Sequence, residues 1–237
     1  MRRLDLTLDD PADNLALDEA LLLSAEQGGD EVIRFWRFAL PVVILGRGSK
    51  IDDEVDVAYC QEQAIRILRR CSGGASIVAG PDCWMYSVVL SLTARPALRN
   101  IDLAHEFVIG RLTRAVATQR PEIQPQGICD LTLHSKKFSG NSLRVARNHL
   151  LYHGTILVRA NQDLMSHCLR SPPREPEYRK GRAHHDFITE ITLNTEQLAD
   201  ALAAQYHAVR IMTDWPRDEM KQLSENKYSS SQWTWRH

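Results

Sequence analysis

Apolar positions along the chain change period from block to block, and each change marks a predicted element. Over residues 12–25, Leu15, Leu17, Leu21 and Leu22 stand among Asp13, Asp18 and Glu19 at a spacing nearer to helical than to alternating, which predicts a first helix. Residues 32–38 alternate, 41–45 form a short β-branched run, and both read as strands; Gly46-Arg47-Gly48 breaks the second. Residues 59–64 read as helical and 65–69 as extended, and the Gly73-Gly74 turn leads into a strand at 76–78. A strand at 84–92 and a long helix at 101–118 follow, the latter with Leu103, Phe107, Val108, Leu112 and Val116 at helical intervals. Residues 121–126 read as a loop, and 131–133, 138–145 and 150–158 as a small antiparallel set of strands. A brief helix at 164–169 precedes a proline-rich, basic surface loop at 171–182. A third helix at 194–209 opens on Asn194-Thr195-Glu196-Gln197, which resembles an N-cap. One compact α/β domain with mixed sheets accounts for these elements.

Composition narrows the class. The chain has 237 residues, 43% of them hydrophobic, enough for a sizeable core. A formal net charge of -1 supplies no overall field toward nucleic acid or membrane, so neither is an expected partner. The five cysteines, at 60, 71, 83, 129 and 168, are odd in number and show no CxxC spacing, which argues against a disulfide scaffold and a structural zinc site. Without a leader-like N-terminus or an apolar run near membrane-spanning length, the expected location is the cytoplasm.

Two glycine turns carry the chemistry. Lys136-Lys137-Phe138-Ser139-Gly140-Asn141-Ser142 places a lysine at a turn between two strands, either mobile in solvent or held as a fixed charge for a carboxylate or phosphate. Arg69-Arg70-Cys71-Ser72-Gly73-Gly74-Ala75 lets backbone N–H groups approach a ligand beside an arginine. By itself that turn is commonplace, and it fits neither a Walker A loop nor GxGxxG. Cys129, eight residues before Lys137, would have a lowered thiol pKa if the two side chains met; a buried, inert thiol is the plainer expectation. His153 is an acid–base candidate or a hydrogen-bonded core group, none of the nine histidines has metal-ligand spacing, and Cys83 reads as packing.

The ordered set Asn14-Leu15-Ala16-Leu17-Asp18-Glu19, Gly46-Arg47, Arg69 to Gly74, Lys137-Phe138-Ser139-Gly140-Asn141 and His153-Gly154-Thr155 resembles the lipoate-protein ligase A family, within the biotin/lipoate ligase and octanoyltransferase superfamily. The resemblance implies an α/β fold of α+β type, the biotin/lipoate protein ligase catalytic domain, with larger and smaller mixed β-sheets flanked by helices. It implies a single catalytic domain over residues 1–237, in which 210–237 looks like the start of a connection to an absent accessory domain. The implied reaction uses ATP and Mg²⁺ to convert lipoate, or octanoate, to an acyl-adenylate, then acylates a lysine of a lipoyl-domain acceptor protein.

By the same resemblance Lys137 is catalytic, stabilising charge on the acyl-phosphate. Arg47, Arg70, Ser72, Gly73, Gly74, Ala75, Asp130, Ser139, Gly140, Asn141, His153 and Gly154 bind substrate and adenylate. Ala75 stands where the family usually has a third glycine. A separate accessory-domain protein is a further implied partner. The alternatives are an octanoyl or lipoyl transferase working through a Cys129 thioester, and a non-catalytic lipoyl-binding module. The basic loop, through Arg174, Arg179 and Arg182, is a candidate for steering an acidic acceptor.

Overall fold

The computed structural model describes residues 1–159, 161–170 and 175–237. Among the described residues, eleven strands form two sheets: β1 (Arg2–Asp5), β2 (Val32–Trp36), β3 (Val42–Leu45), β4 (Arg66–Arg69), β5 (Ile77–Ala79), β6 (Cys83–Ser91), β7 (Gln124–Gln126), β8 (Asp130–Leu133), β9 (Lys136–Val145), β10 (His149–Leu157) and β11 (Arg210–Ile211). The large sheet has the order β11-β1-β2-β6-β10-β9-β8-β7, with β11, β1 and β2 parallel and the rest antiparallel. The small sheet has the order β4-β3-β5, with β3 parallel to β4 and antiparallel to β5.

Side chains of successive strand residues point to opposite faces, and this divides the core. Ile33, Phe35, Trp84, Tyr86, Val88, Tyr152 and Ile156 pack on one face of the large sheet against α4 (Ile101–Ala117) and α7 (Thr195–Gln205). Val32, Trp36, Met85, Val89 and Leu151 face the other way, toward α1 (Pro11–Glu26) and the small sheet. Three side-chain caps start these helices: Asp10 accepts from the Ala12 N–H, Asn100 from Asp102 and Leu103, and Asn194 from Glu196 and Gln197. Each such cap contributes about 1 kcal/mol. Short helices complete the chain: α2 (Ile51–Glu54), α3 (Val57–Glu62), α5 (Gln162–Cys168), α6 (His184–Phe187), α8 (Arg217–Leu223) and α9 (Ser231–Thr234). Among the described residues no helix is long and apolar enough to cross a membrane.

Several expectations need correction. The three strands read as a small antiparallel set do pair antiparallel, and they continue into the large sheet because β10 pairs along its whole length with β6. Residues 124–126, expected to be loop, are its edge strand. The turn before β9 is His134-Ser135, both left-handed with φ of 51° and 60°, so Lys136 and Lys137 begin a strand instead of forming the turn. In the predicted surface loop, Arg174 lies outside the described residues. Arg179 is buried, and the Arg182 guanidinium donates to the carbonyls of Ser135 and Tyr178. Those two arginines hold the segment together rather than presenting charge to a partner. The polar tail also folds back: Lys227 and Tyr228 both donate to Glu19 of α1, and Arg69 donates to the Thr234 carbonyl.

Candidate active site

A cavity of about 220 Å³ opens between the small sheet, the α1 face of the large sheet and the segment containing α5 and α6. Its lining combines apolar side chains, among them Leu15, Trp36, Phe38, Ile44 and Met85, with the cations Lys137, Arg70, Arg170 and Arg179. A long apolar group ending in an anion matches that composition.

Lys137 reaches the cavity from the first residues of β9. Its Nζ is 2.7 Å from Asp130 Oδ1, and the Tyr178 hydroxyl donates to Asp130 Oδ2 at 2.8 Å. Gly140 makes this path possible: a Cβ there would lie 2.8 Å from Lys137 Cε and 2.9 Å from Nζ. The ammonium crosses the strand at the one residue without a side chain.

The Ser72-Gly73-Gly74 turn forms the facing wall. Arg69 and Arg70 leave the end of β4 toward opposite sides: Arg69 holds the tail and the Gly46 and Ser49 carbonyls, while Arg70 holds the turn. Arg70 donates to Ser72 Oγ and to the carbonyls of Gly73, Ile44 and Ala75. Burial pushes its guanidinium down to about 10, which leaves it charged at neutral pH. Gly46 is needed opposite, since a Cβ there would stand 1.8 Å from the Gly74 carbonyl oxygen. Glu54 closes the turn's far end by accepting from the Ser76 N–H at 2.7 Å and the Ser49 hydroxyl at 3.0 Å.

The cavity gathers Lys137, Arg70, Gly74, Ala75, Ser139, Gly140, Asn141, His153 and Gly154 from the expected set. Ser72, Gly73, Asp130 and Cys129 are not part of its lining; Ser72 and Asp130 are buried, and Gly73 is exposed. Arg47 is not brought to it: following β3 the chain turns outward, the side chain is exposed, and only its N–H, donating to the Ser72 carbonyl, touches the turn. Of the two readings of Cys129, the activated thiol finds no support in its surroundings. Burial and the Asp130 charge push it up to about 11 and outweigh Lys137, which acts in the opposite direction. Its Sγ–H donates to the Asn141 carbonyl at 3.1 Å. His153 is buried with both ring nitrogens engaged, Nδ1 with Asp18 Oδ2 at 2.9 Å and Nε2 with Ser72 Oγ at 2.6 Å. Glu54, Arg170 and the aromatic residues of the lining belong to none of the glycine motifs, so nothing in the sequence pointed to them; His184 stood out there only as lacking metal-ligand spacing.

A family model described as the lipoyl protein ligase A/B catalytic domain matches residues 10–207. The octanoyltransferase LipM of Carboxydothermus hydrogenoformans is 25% identical over 261 residues, covering 95% of this chain and 94% of that protein. Lipoate-protein ligase A subunit 1 of Thermoplasma acidophilum is 23% identical over 238 residues, covering 93% of this chain and 90% of the subunit. Among solved structures, a bi-partite lipoate protein ligase from T. acidophilum, described with its E2 lipoyl domain, superposes with a TM-score of 0.83 and 21% identity, covering 99% of this chain and 95% of that one. That last likeness is one of fold: a larger and a smaller mixed sheet flanked by helices.

Proposed function

The chain belongs to the lipoyl protein ligase A/B catalytic-domain family, and from that premise we propose that it is a lipoate-protein ligase: it activates lipoate with ATP and transfers the lipoyl group to a lysine of a lipoyl domain. The observation that carries this reading is the contrast between Lys137 and Cys129. The lysine presents a fixed positive charge at the cavity, whereas the thiol is pushed up to about 11 and bonded to a carbonyl, so at neutral pH it is not the thiolate that a thioester mechanism needs.

In this reading the lipoate chain lies against the apolar side chains of the lining and its carboxylate meets Lys137. A carboxylate oxygen attacks the α-phosphorus of ATP, the bond to the β-phosphate oxygen breaks, and pyrophosphate leaves. The neutral ε-amine of the acceptor lysine then attacks the acyl carbon, AMP departs, and the nitrogen gives up one proton to solvent to leave the amide. Lys137 stabilises the charge that develops on the acyl-phosphate oxygens in both displacements, and the Gly74–Ala75 wall keeps the acyl carbon in an attackable pose. Magnesium has no protein cage here: among the described residues no three His, Cys, Asp or Glu side chains converge on one point, and Asp130 and Glu54 are already engaged. We include residues 210–237 in the catalytic domain proper, because Lys227, Tyr228 and Trp233 anchor them to α1 and β4. A separate accessory protein would be required only if the chain alone makes no lipoyl-AMP.

The second reading is acyl transfer between carrier proteins through Cys129, and the similarity to a LipM octanoyltransferase over nearly the whole chain favours it. Mass spectrometry of a lipoyl-domain acceptor incubated with the protein, Mg²⁺ and free lipoate, with and without ATP, separates the two. Acyl gain that requires ATP, is lost in Lys137→Ala and persists in Cys129→Ala supports the ligase. Cys129-dependent transfer from an octanoylated carrier, with none from free lipoate, would replace it. Absence of both, with ligand binding retained, would leave a lipoyl-binding module.

A further inference from the structure

Arg34, Ser87, His153 and Ser142 occupy paired positions on four adjacent strands, forming one polar row across β2, β6, β10 and β9 on the face toward α1. Asp18 of α1 sits over the middle of this row. Its Oδ1 accepts from Arg34 at 2.8 Å, and its Oδ2 accepts from Ser87 at 2.7 Å and from His153 Nδ1 at 2.9 Å. The row leads to the turn: His153 Nε2 contacts Ser72 Oγ at 2.6 Å, and Ser142 donates to the Gly73 carbonyl at 2.8 Å. Asp18, Arg34 and Ser72 are each no more than 1% exposed. The next row on the same face, Trp36, Met85, Thr155 and Gly140, lines the cavity, and Lys137 crosses it at Gly140. Two residues along a strand separate the rows by about 7 Å.

An Asp–His–Ser line is the arrangement that activates a serine nucleophile in hydrolases. Here Ser72 Oγ also receives the Arg70 Nε–H at 3.1 Å and is not part of the cavity lining, so the line ends in the turn and not at a substrate. We propose that Asp18, His153 and Ser72 are positioning residues that set the direction of the Ser72 hydroxyl and so hold Arg70 and the Gly73–Ala75 wall in place for acyl transfer. A carboxylate only accepts, so Asp18 requires the proton on His153 Nδ1. Nε2 is then the acceptor in the neutral ring, Ser72 gives it its hydrogen, and the serine's lone pairs are left for Arg70. Arg70 keeps its other donors on the Gly73, Ile44 and Ala75 carbonyls. The kinetic consequence rests on the acyl-transfer reading above; the tautomer does not.

Two measurements test the proposal independently. Long-range ¹⁵N–¹H correlation on histidine-labelled protein at pH 8 should show His153 protonated at Nδ1 alone; an Nε2–H or doubly protonated ring overturns the proposal whether or not the protein has activity. In the acyl-transfer assay, Ser72→Ala and His153→Gln should each lower kcat about 10- to 100-fold, as loss of attack geometry does, with KM for the acyl donor changed less than about threefold. The double variant should be no worse than the worse single one, and Ser72→Thr, which keeps the hydroxyl, should recover to within about threefold of the parent. Additive losses, or a Ser72→Thr no better than Ser72→Ala at equal thermal stability, would overturn it, as would fluorophosphonate labelling of Ser72. If His153→Gln does not fold, the two Ser72 variants decide. If the parent protein transfers no acyl group, the proposed function fails while the tautomer still tests the relay.

Discussion

The Lys137 ammonium lies 2.7 Å from Asp130 Oδ1 at the cavity, and the same carboxylate accepts the Tyr178 hydroxyl through its other oxygen. Asp130 is only 9% exposed at its side chain, against 29% for the lysine, so the acid is the fixed partner and the lysine is the one that meets a ligand. Lys137→Ala is therefore expected to lower kcat/KM for acyl transfer by about 10²- to 10³-fold, the usual cost of losing one charge-stabilising donor. Asp130→Asn keeps the cation and should cost about tenfold or less. Rates of acceptor mass gain measure both, and a Lys137→Ala protein within threefold of the parent would remove the lysine from the mechanism.

Cys129 tests the same site from the other side. A thiol pushed up to about 11 by burial and Asp130 is almost wholly protonated at pH 7, and its thiolate fraction rises about tenfold per pH unit until that value is approached. Iodoacetamide should modify Cys129 slowly at pH 7, at a rate that keeps climbing beyond pH 9, and Cys129→Ala should retain most of the acyl transfer. Rapid alkylation at neutral pH that abolishes activity in step with modification of Cys129 would make it the nucleophile.

Periodicity made α4 and most strands legible, because a face buried every 3.6 or every two residues leaves its trace whatever it packs against, whereas α1 is buried nearly all round and its leucines mark it more by density than by period. Pairing left no such trace. Gln124-Pro125-Gln126 has no apolar alternation, and only its register with Asp130–Leu133 makes it a strand. The glycine motifs located Lys137 and the Gly73–Gly74 turn, since close backbone approach restricts residue type. The partners of His153 were not legible: Asp18 comes from α1 and Ser72 from the turn after β4, and only the fold brings them to one ring. Nor were the partners of Arg70, whose donors go to the Gly73 and Ala75 carbonyls of the turn and the Ile44 carbonyl of β3.

Glu19 ties the tail to α1. Its carboxylate, 4% exposed, accepts from Lys227 and Tyr228 and pairs with Arg144. Burial alone would raise its pKa, but the Lys227 and Tyr228 hydrogen bonds and the charges of Lys227 and Arg144 hold it below the ordinary glutamate range. A carboxyl lowered by folding contributes stability that is present above its unfolded pKa of about 4.3 and is lost as pH falls through the lower folded value. Glu19→Gln leaves two cations without their partner and should cost about 3 to 5 kcal/mol at pH 7. The difference from the parent should shrink on acidification. Thermal melts of both proteins from pH 7 to pH 3 measure this, and a gap that widens toward acid would contradict the assignment.

Gly46 is where the small sheet meets the turn, and a side chain there can be accommodated only if the turn moves. A Cβ at Gly46 would lie 1.8 Å from the Gly74 carbonyl oxygen, whereas one at Gly48, two residues on, meets nothing within 4 Å. Because the obstacle is backbone held by Arg70 and Ser142 through Gly73, rotamer change cannot relieve it. Gly46→Ala should therefore cost about 1 to 3 kcal/mol, as overpacking does, while Gly48→Ala stays within about 0.5 kcal/mol of the parent. The displaced Gly74 lies in the cavity wall, so the first variant should also lose thermal stabilisation by lipoate while the second keeps it. Equal lipoate stabilisation in the two variants would mean that the position of this turn does not set the shape of the ligand site.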